Sequence, residues 1–308
     1  MNTRVMHMLV RPLWTLFAIA GLAIAAAPAF AATLDPAAIG NAAGVQAKQQ
    51  DDGVVKINWS RTDVPVTVDG MRLPPAAGLG SWAAFAPMGD QAMVMGDTVV
   101  FQDEVDAAMD AAFAHGLKLT ALHNHFFFDQ PKAYFMHIAG EGQPQVLAAD
   151  VKAVWDAIKA VRAARAQPAD GFGGATPTAG ALDADALAKI VGHKAEVNGG
   201  VAKITMGRNG RMHGQSVGAS MGLTTWAAFS GNDALAAMDG DFIMTAAEVQ
   251  PVLRALRQSG IHVVALHNHM MGDTPAFYFT HFWSKGPAAT LARGFRAALD
   301  AQADTAAH

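Results

Sequence analysis

The feature that most constrains this chain is an internal repeat. A shift of 144 residues aligns Trp82–Gly142 with Trp226–Gly286 without a gap, and 22 of the 61 aligned residues are identical. Repeats of this kind are copies of one structural unit. We therefore predict a tandem duplication related by a pseudo-two-fold axis, with repeat domains at residues 32–166 and 182–308. Residues 167–181, rich in alanine, glycine and proline, are predicted to be a linker.

The pattern of apolar residues predicts the same element order in both copies. Asp69-Gly70 and Asn209-Gly210 are expected to form two-residue hairpin turns. The predicted elements of the first copy are helices Pro36–Gly44 and Asp103–His115, strands Lys118–Phe126 and Ala133–Ala139, and helix Asp150–Arg165. Those of the second copy are helices Ala184–Gly192 and Ala246–Ser259, strands Ile261–Met270 and Ala276–Trp283, and helix Ala288–Ala301. This order predicts an α+β fold with mostly antiparallel sheet.

Each copy carries the same three histidines. His123 and His125 are two residues apart, so they share one face of a strand. A hairpin centred near residue 130 would place His123 opposite His137, with all three imidazoles on that face. The same reasoning, with the hairpin centred near residue 274, groups a second set: His267, His269 and His281.

Three imidazoles on rigid strands can hold a divalent transition metal and leave one coordination position open. Zinc is the expected ion. Copper is a weaker alternative, suggested by Met93, Met95, Met270 and Met271 near the histidines. The competing interpretation is a hydrogen-bonded histidine–asparagine cluster that only stabilises the hairpin.

Several acidic residues also recur in both copies. Glu104 and Glu248 are candidate general bases or carboxylate ligands, although Thr245-x-x-Glu248 is also a capping-box pattern. Asp97 and Asp241 follow glycine and are interpreted as turn residues. A further pair, Asp129 and Asp273, lies in the predicted hairpin turns, where it could also support a metal site. Two tryptophans, Trp82 and Trp226, are interpreted as core residues, with sugar stacking as the alternative.

The N-terminus predicts export. Two arginines precede the apolar stretch Leu13–Ala27, and Ala29-Phe30-Ala31 is a small-x-small cleavage pattern. This order is typical of a signal peptide at residues 1–31, because the apolar run is too short for a membrane span. We expect cleavage after Ala31, a periplasmic or secreted location, and no membrane span in the mature protein. A net charge of −4 gives no reason to expect nucleic-acid binding, and the absence of cysteine excludes disulfides.

The segments Ala265–Met270, Tyr278-Phe279-x-His281 and Gly240-Asp241 resemble the LppY/LpqO-like family of exported bacterial proteins. The resemblance covers almost the whole mature chain in both halves. That family is described as a domain of unknown function, so the resemblance implies a fold and export but no particular reaction. Known members are often lipoproteins. This chain has no cysteine to carry a lipid.

Two classes of function follow from the sequence. The first is a periplasmic metal-binding protein, with metal-assisted hydrolysis as its extension if the open position activates water. The second is a non-catalytic binding module for an envelope glycan or peptide, with structural histidines. In either class, the expected partner is an unidentified small molecule or envelope component.

Overall fold

The computed structural model describes residues 33–306. The predicted leader, residues 1–31, and its cleavage site lie outside the described residues. The described part contains six helices: α1 Pro36–Ala43, α2 Val105–Ala114, α3 Pro144–Ala164, α4 Ala184–Val191, α5 Ala246–Gln258 and α6 Ala288–Ala306. The strands of its first half are β1 Ala47–Gln49, β2 Val55–Ser60, β3 Thr67–Val68, β4 Met71–Arg72, β5 Gly80–Met88, β6 Gln91–Phe101, β7 Lys118–His123, β8 Asp129–Gln130 and β9 Ala133–Gly142. Those of the second half are β10 Ala195–Asn198, β11 Val201–Gly207, β12 Gly210–Met212, β13 Gln215–Val217, β14 Thr224–Gly231, β15 Ala236–Thr245, β16 His262–His267, β17 Asp273–Thr274 and β18 Phe277–Gly286.

Local sequence explains where the helices begin and end. The Asp35 side chain accepts hydrogen bonds from two backbone N–H groups in the first turn of α1, at 2.8 and 3.2 Å, which satisfies donors that a helix N-terminus leaves free. Gly44 follows α1 with a φ of 67°, a left-handed conformation that suits glycine. The predicted capping box of Thr245 and Glu248 is present at the start of α5.

Twelve strands of the described part form one antiparallel sheet in the order β1-β2-β5-β6-β9-β7-β16-β18-β15-β14-β11-β10. β7 and β16 lie at its centre and pair antiparallel through Leu122 and Leu266. Outward from this pair, equivalent strands of the two halves follow one another in the same order. The predicted α+β fold, duplicated about a pseudo-two-fold axis, is confirmed, and that axis passes between Leu122 and Leu266.

The two faces of the large sheet differ. On one face, the helices of both halves pack over a shared apolar core that includes Trp155 and Phe295. The other face, called the open face below, carries two smaller three-stranded sheets, β13-β12-β17 and β4-β3-β8. Side chains alternate between the faces along each strand. On β6, for example, Val94 is buried among the helices while Met93 is 45% exposed on the open face.

The halves also contact each other beside the central strands. The Gln250 side chain donates to the backbone oxygen of Leu119 at 2.6 Å and accepts from the backbone nitrogen of Leu119 at 3.0 Å. The Arg257 guanidinium donates to both carboxylate oxygens of Asp110 at 3.0 Å. The two repeats therefore share one sheet, one helical core and a set of polar contacts.

The predicted hairpin register is wrong. His123 lies opposite Phe135, and His137 lies opposite Ala121, so the hairpin register is two residues away from the expected one. The reason is that β7 ends at His123, and the loop after it forms β8, which pairs with β3. The second half shows the same shift, because His267 lies opposite Phe279.

One of the two predicted hairpin turns is also wrong. Asp69-Gly70 does form the expected two-residue hairpin turn between β3 and β4, with both φ angles positive. Asn209-Gly210 does not, because Gly210 pairs with Val217 inside a strand. The equivalent turn is His213-Gly214, again with two positive φ angles. The offset of 144 residues therefore also relates these two turns.

Candidate metal centre

Each half places an aspartate directly beside a histidine on the open face. Asp97 in β6 pairs with His137 in β9, and Asp241 in β15 pairs with His281 in β18. Both aspartates lie inside long strands and not in turns, so that interpretation of them was wrong. One signal could have identified them: Gly-Asp is retained in both copies inside the ungapped match, within runs that have the length of a strand.

The other two histidines of each set lie where a central strand ends. His123 and His267 are the last residues of β7 and β16, and His125 and His269 lie in the loops that follow. The ring of His125 stacks on that of Phe135 with centroids 3.2 Å apart. His269 stacks in the same way on Phe279 at 3.4 Å. These stacks turn the loop histidines back over the sheet, towards the aspartates.

Asparagine holds each loop in this conformation. The side-chain amide of Asn124 donates to the backbone oxygen of Phe126 at 2.9 Å, and that of Asn268 donates to the backbone oxygen of Met270 at 2.7 Å. This contact explains why His-Asn-His is retained in both copies: the asparagine positions the loop that carries the second histidine.

The ligand atoms converge most closely in the second half. One ligand atom each from Asp241, His267 and His269 can be chosen so that all lie within 4.8 Å of one another. Oδ2 of Asp241 is 3.4 Å from Nε2 of His269. The ring of His281 lies alongside, with its centroid 5.0 Å from that of His267. The second half thus contains a candidate His/Asp metal-binding group.

The first half has a similar arrangement with shorter histidine contacts. Nε2 of His123 lies 3.0 Å from Nε2 of His137, and Oδ2 of Asp97 lies 3.8 Å from the same His137 nitrogen. The centroids of His123 and His125 are 5.1 Å apart. The three predicted histidines therefore do come together in each half, and each set gains a buried aspartate.

Backbone carbonyls orient three of the imidazoles. Nδ1 of His123 lies 3.3 Å from the backbone oxygen of Asn124, and Nδ1 of His267 lies 3.4 Å from that of Asn268. Nδ1 of His281 lies 3.2 Å from the backbone oxygen of Gly240. A ring nitrogen that donates to a carbonyl leaves Nε2 with a free lone pair. Metal-binding histidines are commonly oriented in this way.

Buried polar atoms without partners mark the second-half group. Within the described residues, Nε2 of His267 and Oδ1 of Asp241 are buried and have no hydrogen-bond partner. In the first half, Oδ1 of Asp97 is likewise buried and has no partner among the described residues. Native proteins rarely leave such atoms unsatisfied, because the loss costs about 1–3 kcal/mol each. A cation bound between the aspartate and the imidazoles would satisfy the two second-half atoms together.

Burial also sets the protonation of these groups. It lowers the pKa of His125, His137 and His269, although the neighbouring aspartate opposes the shift. Neutral imidazole is the form that binds metal. Burial raises the pKa of Asp97 and Asp241, against the attraction of the nearby histidines. Burial thus favours neutral imidazole at His125, His137 and His269 and leaves the two aspartates partly desolvated.

Glu104 and Glu248, the candidate catalytic residues, are engaged elsewhere. Glu104 is fully buried, and its oxygens accept from Arg61 at 2.8 and 2.9 Å and from the backbone nitrogen of Phe101 at 2.8 Å. Glu248 completes the α5 capping box and pairs with Arg208 at 2.5 and 2.7 Å. These contacts favour capping and charge pairing over catalysis for both carboxylates.

Asp129 and Asp273 close the loops after the histidines. An oxygen of each accepts the backbone N–H four residues further along the chain, in both cases at 2.7 Å. Asp129 also binds Lys132 at 2.6 Å. These contacts explain both residues as turn-forming groups that help to position the histidine loops.

The tryptophans lie next to the aspartates on the open face. Trp82 pairs with Asp97 and Trp226 with Asp241. A lysine covers each ring: Nζ of Lys56 is 4.6 Å from the Trp82 ring centroid, and the Trp226 ring has an equivalent lysine at 4.2 Å. Both rings are partly buried, so they are not core residues in the strict sense expected from the sequence.

Comparisons with known proteins support the family but no reaction. No curated protein matches the chain. Among solved structures, the trimeric bacterial microcompartment shell protein PduB is similar over 83% of this chain and 89% of its own, at 10% identity and a TM-score of 0.20. A TM-score this low carries no argument about fold or function. The model of the family described as Domain of Unknown Function (DUF1259) matches residues 37–157 and 185–301, most of both halves. The finer resemblance to LppY/LpqO-like proteins stays a prediction, and the chain belongs to the family described as Domain of Unknown Function (DUF1259).

Proposed function

We propose that this protein binds a divalent transition metal in its second half, through Asp241, His267 and His269, with His281 beside them. The observation that carries the proposal is a pair of buried atoms, Nε2 of His267 and Oδ1 of Asp241, that have no partner among residues 33–306 and belong to a group whose ligand atoms converge. We propose a second site of the same design in the first half, formed by its three histidines and Asp97.

The ligand types and spacings support zinc. Imidazole and carboxylate are common zinc ligands, and zinc–nitrogen bonds of about 2.0–2.1 Å in a tetrahedral site separate two ligand atoms by about 3.3 Å. The Asp241–His269 distance of 3.4 Å and the His123–His137 distance of 3.0 Å are close to that value. Copper has less support, because Met93 and Met95 correspond to Ala237 and Asp239 in the second half.

Hydrolysis is the chemistry that such a site would add. His125 and His269 are exposed, so a metal held here would face solvent. A zinc ion with three protein ligands lowers the pKa of a bound water and makes it a nucleophile at neutral pH. In this proposal the aspartate and histidines hold and orient that ion. Glu104 and Glu248 take no part.

The direct test is zinc titration by calorimetry on metal-stripped protein. We expect two zinc ions per chain. The variant His267→Ala/His269→Ala should lose one, His123→Ala/His125→Ala should lose the other, and the quadruple variant should lose both. The exposed His193→Ala variant, outside both sets, serves as the control and should bind like the unchanged protein. Full zinc binding by the quadruple variant would contradict the proposal and leave the histidines a structural role.

A glycan or peptide module is the second candidate. Its support is the tryptophan beside each aspartate on the open face. The lysine over each ring, at 4.6 and 4.2 Å, already covers the surface on which a sugar would stack. This observation favours the metal-binding proposal over a binding surface at Trp82 and Trp226.

We also propose export to the periplasm or beyond. The support is the sequence pattern of residues 1–31, which lies outside the described residues. Among residues 33–306, no helix is long and apolar enough to cross a membrane. Mass spectrometry of the protein from a periplasmic extract should find an N-terminus at or near Ala32, and a full-length membrane-bound species would refute the cleavage.

A further inference from the structure

The segment predicted as a linker packs against the second half. Nζ of Lys285 donates to the backbone oxygen of Gly173 at 2.7 Å, and the Phe172 ring stacks on His262 with centroids 3.6 Å apart. Further along, the backbone nitrogen of Asp233 donates to the oxygen of Ala181 at 3.3 Å. These contacts hold residues 171–181 against one end of the second half.

A cavity of about 580 Å³ lies between this segment and the second half. Its apolar walls include Phe172 and Pro177 from the segment and Trp283 from β18. Ser230 supplies a hydroxyl. Among the described residues that line the cavity, Lys285 alone carries a charge. A volume of this size is typical of sites for small organic ligands, which are also mostly apolar with a few polar groups.

The first half lacks the residues that make this cavity. At the positions equivalent to Trp283, Lys285 and Ser230 it holds Ala139, Glu141 and Ala86. The duplicated sheet therefore does not need a tryptophan or a lysine at those positions.

The halves also differ in solvent exposure, because residues 171–181 cover part of the open face in the second half. Ala237 is 6% exposed on the cavity wall, whereas the equivalent Met93 is 45% exposed. The smaller side chain makes room beneath the segment, and the segment shields it from solvent. The residues that form the cavity therefore differ from those at the equivalent positions of the first half.

We propose that this cavity binds a small ring compound that carries a carboxylate. The flat face of Trp283 suits a sugar or aromatic ring, and the single positive charge of Lys285 matches one carboxylate. The contact with Gly173 uses one of the three N–H donors of the lysine, which leaves two for a ligand. Ser230 adds a hydrogen-bonding group for a ring substituent.

This ligand site adjoins the metal centre but shares no residue with it. Trp283 lies two residues beyond His281 on the same face of β18, which places their Cα atoms about 6–7 Å apart. The lining residues include none of the histidines. Ligand binding is therefore expected with or without zinc, and failure of one proposal leaves the other standing.

The test is calorimetry of the whole protein with four compounds in two matched pairs. Glucuronate and phenylacetate carry the carboxylate on a sugar and on an aromatic ring, and glucose and phenylacetamide are their neutral counterparts. At least one acid should bind, and its neutral counterpart should bind at least about tenfold more weakly. Whichever acid binds identifies the ring. If neither acid binds at millimolar concentration, or if the neutral compounds bind equally well, the proposal is overturned.

Variants that copy residues of the first half into the second locate the binding. Trp283→Ala and Lys285→Glu introduce the residues that the first half already holds at those positions, so the sheet should tolerate them. Each should weaken binding of the acid by at least about tenfold and leave zinc stoichiometry unchanged. Trp283→Phe, which keeps a ring, should lose less. Lys194→Glu, which changes an exposed lysine outside the cavity, is the control. Equal binding by Lys285→Glu and the unchanged protein would also overturn the proposal.

Discussion

At the scale of single residues, Asp241 is the group that distinguishes a metal site from a cluster of histidines. It is 4% exposed, one of its oxygens has no partner within the described residues, and burial raises its pKa. A buried carboxylate under these conditions destabilises the folded protein unless a cation is bound. Both halves retain an aspartate beside the histidine set, and this retention therefore points to function more than to stability.

Asp241→Asn keeps the shape of the side chain and removes its charge. We expect zinc affinity in the second half to fall by at least about tenfold, while the thermal midpoint of the metal-free protein stays level or rises. Calorimetry and thermal unfolding measure the two effects. Asp97→Asn is the matched variant and should weaken the first-half site alone. A lower midpoint with unchanged zinc affinity would assign Asp241 a structural role.

Zinc binding should depend on pH in a direction set by the histidines. Burial lowers the pKa of His269 below its ordinary 6.5, so the neutral, metal-binding imidazole persists at and somewhat below that pH. Affinity is therefore expected to hold as the pH falls to about 6.5 and to decline at lower pH as the ligand groups take up protons. Titrations across this range measure the profile. An affinity that rises on acidification would be incompatible with these ligands.

At the scale of elements, an arginine–glutamate pair joins a helix to the large sheet in each half. The pair lies at the start of α2 in the first half and at the start of α5 in the second. Arg61 and Glu104 are both fully buried, whereas Arg208, the partner of Glu248, is 29% exposed. Glu104→Ala would remove one of the two carboxylates paired with Arg61 and a partner of Arg162, and it should destabilise folding by about 3–5 kcal/mol. Glu248→Ala removes a cap beside a more solvated arginine and should cost about 1–2 kcal/mol.

Urea unfolding measures both changes, with zinc stoichiometry as the companion measurement. Folded samples of both variants should bind zinc like the unchanged protein. Loss of zinc from a folded Glu104→Ala or Glu248→Ala variant would restore these carboxylates as ligands.

The sequence predicts most elements of this fold but not their register. Helix capping and the alternation of apolar residues are local properties, so α1, α4 and α5 agree with expectation to within about one residue. The hairpin register depended on how a loop pairs with β3, a contact between distant segments, and it was therefore wrong by two residues. The three histidines still converge, because a shift of two residues keeps side chains on the same face of a strand.

The aspartates were misread for a related reason. Glycine followed by aspartate is a common turn signal, and only the pairing with His137 and His281 shows that both lie within strands. The linker was predicted from its composition alone, and composition cannot show that it encloses a cavity. Contacts between distant segments determine both results.

At the scale of the whole molecule, the two halves are parts of one sheet and one helical core. We therefore expect a single unfolding transition. A variant that keeps only the first-half tryptophans, such as Trp155, would report on the first half by fluorescence. A variant that keeps only Trp226 and Trp283 would report on the second half. Within each variant, the urea midpoint from tryptophan fluorescence should coincide with the midpoint from circular dichroism, which reports on both halves. Two separate midpoints would show that the halves unfold independently despite the shared strands β7 and β16.

The central claim, a metal held by Asp241, His267 and His269, is tested most directly by anomalous diffraction at the zinc edge from crystals grown with zinc. We predict a peak about 2.0–2.2 Å from Nε2 of His267 and from an oxygen of Asp241, with a second peak at the equivalent position of the first half. A map with no peak at either histidine set, or with zinc bound only elsewhere on the chain, would contradict it.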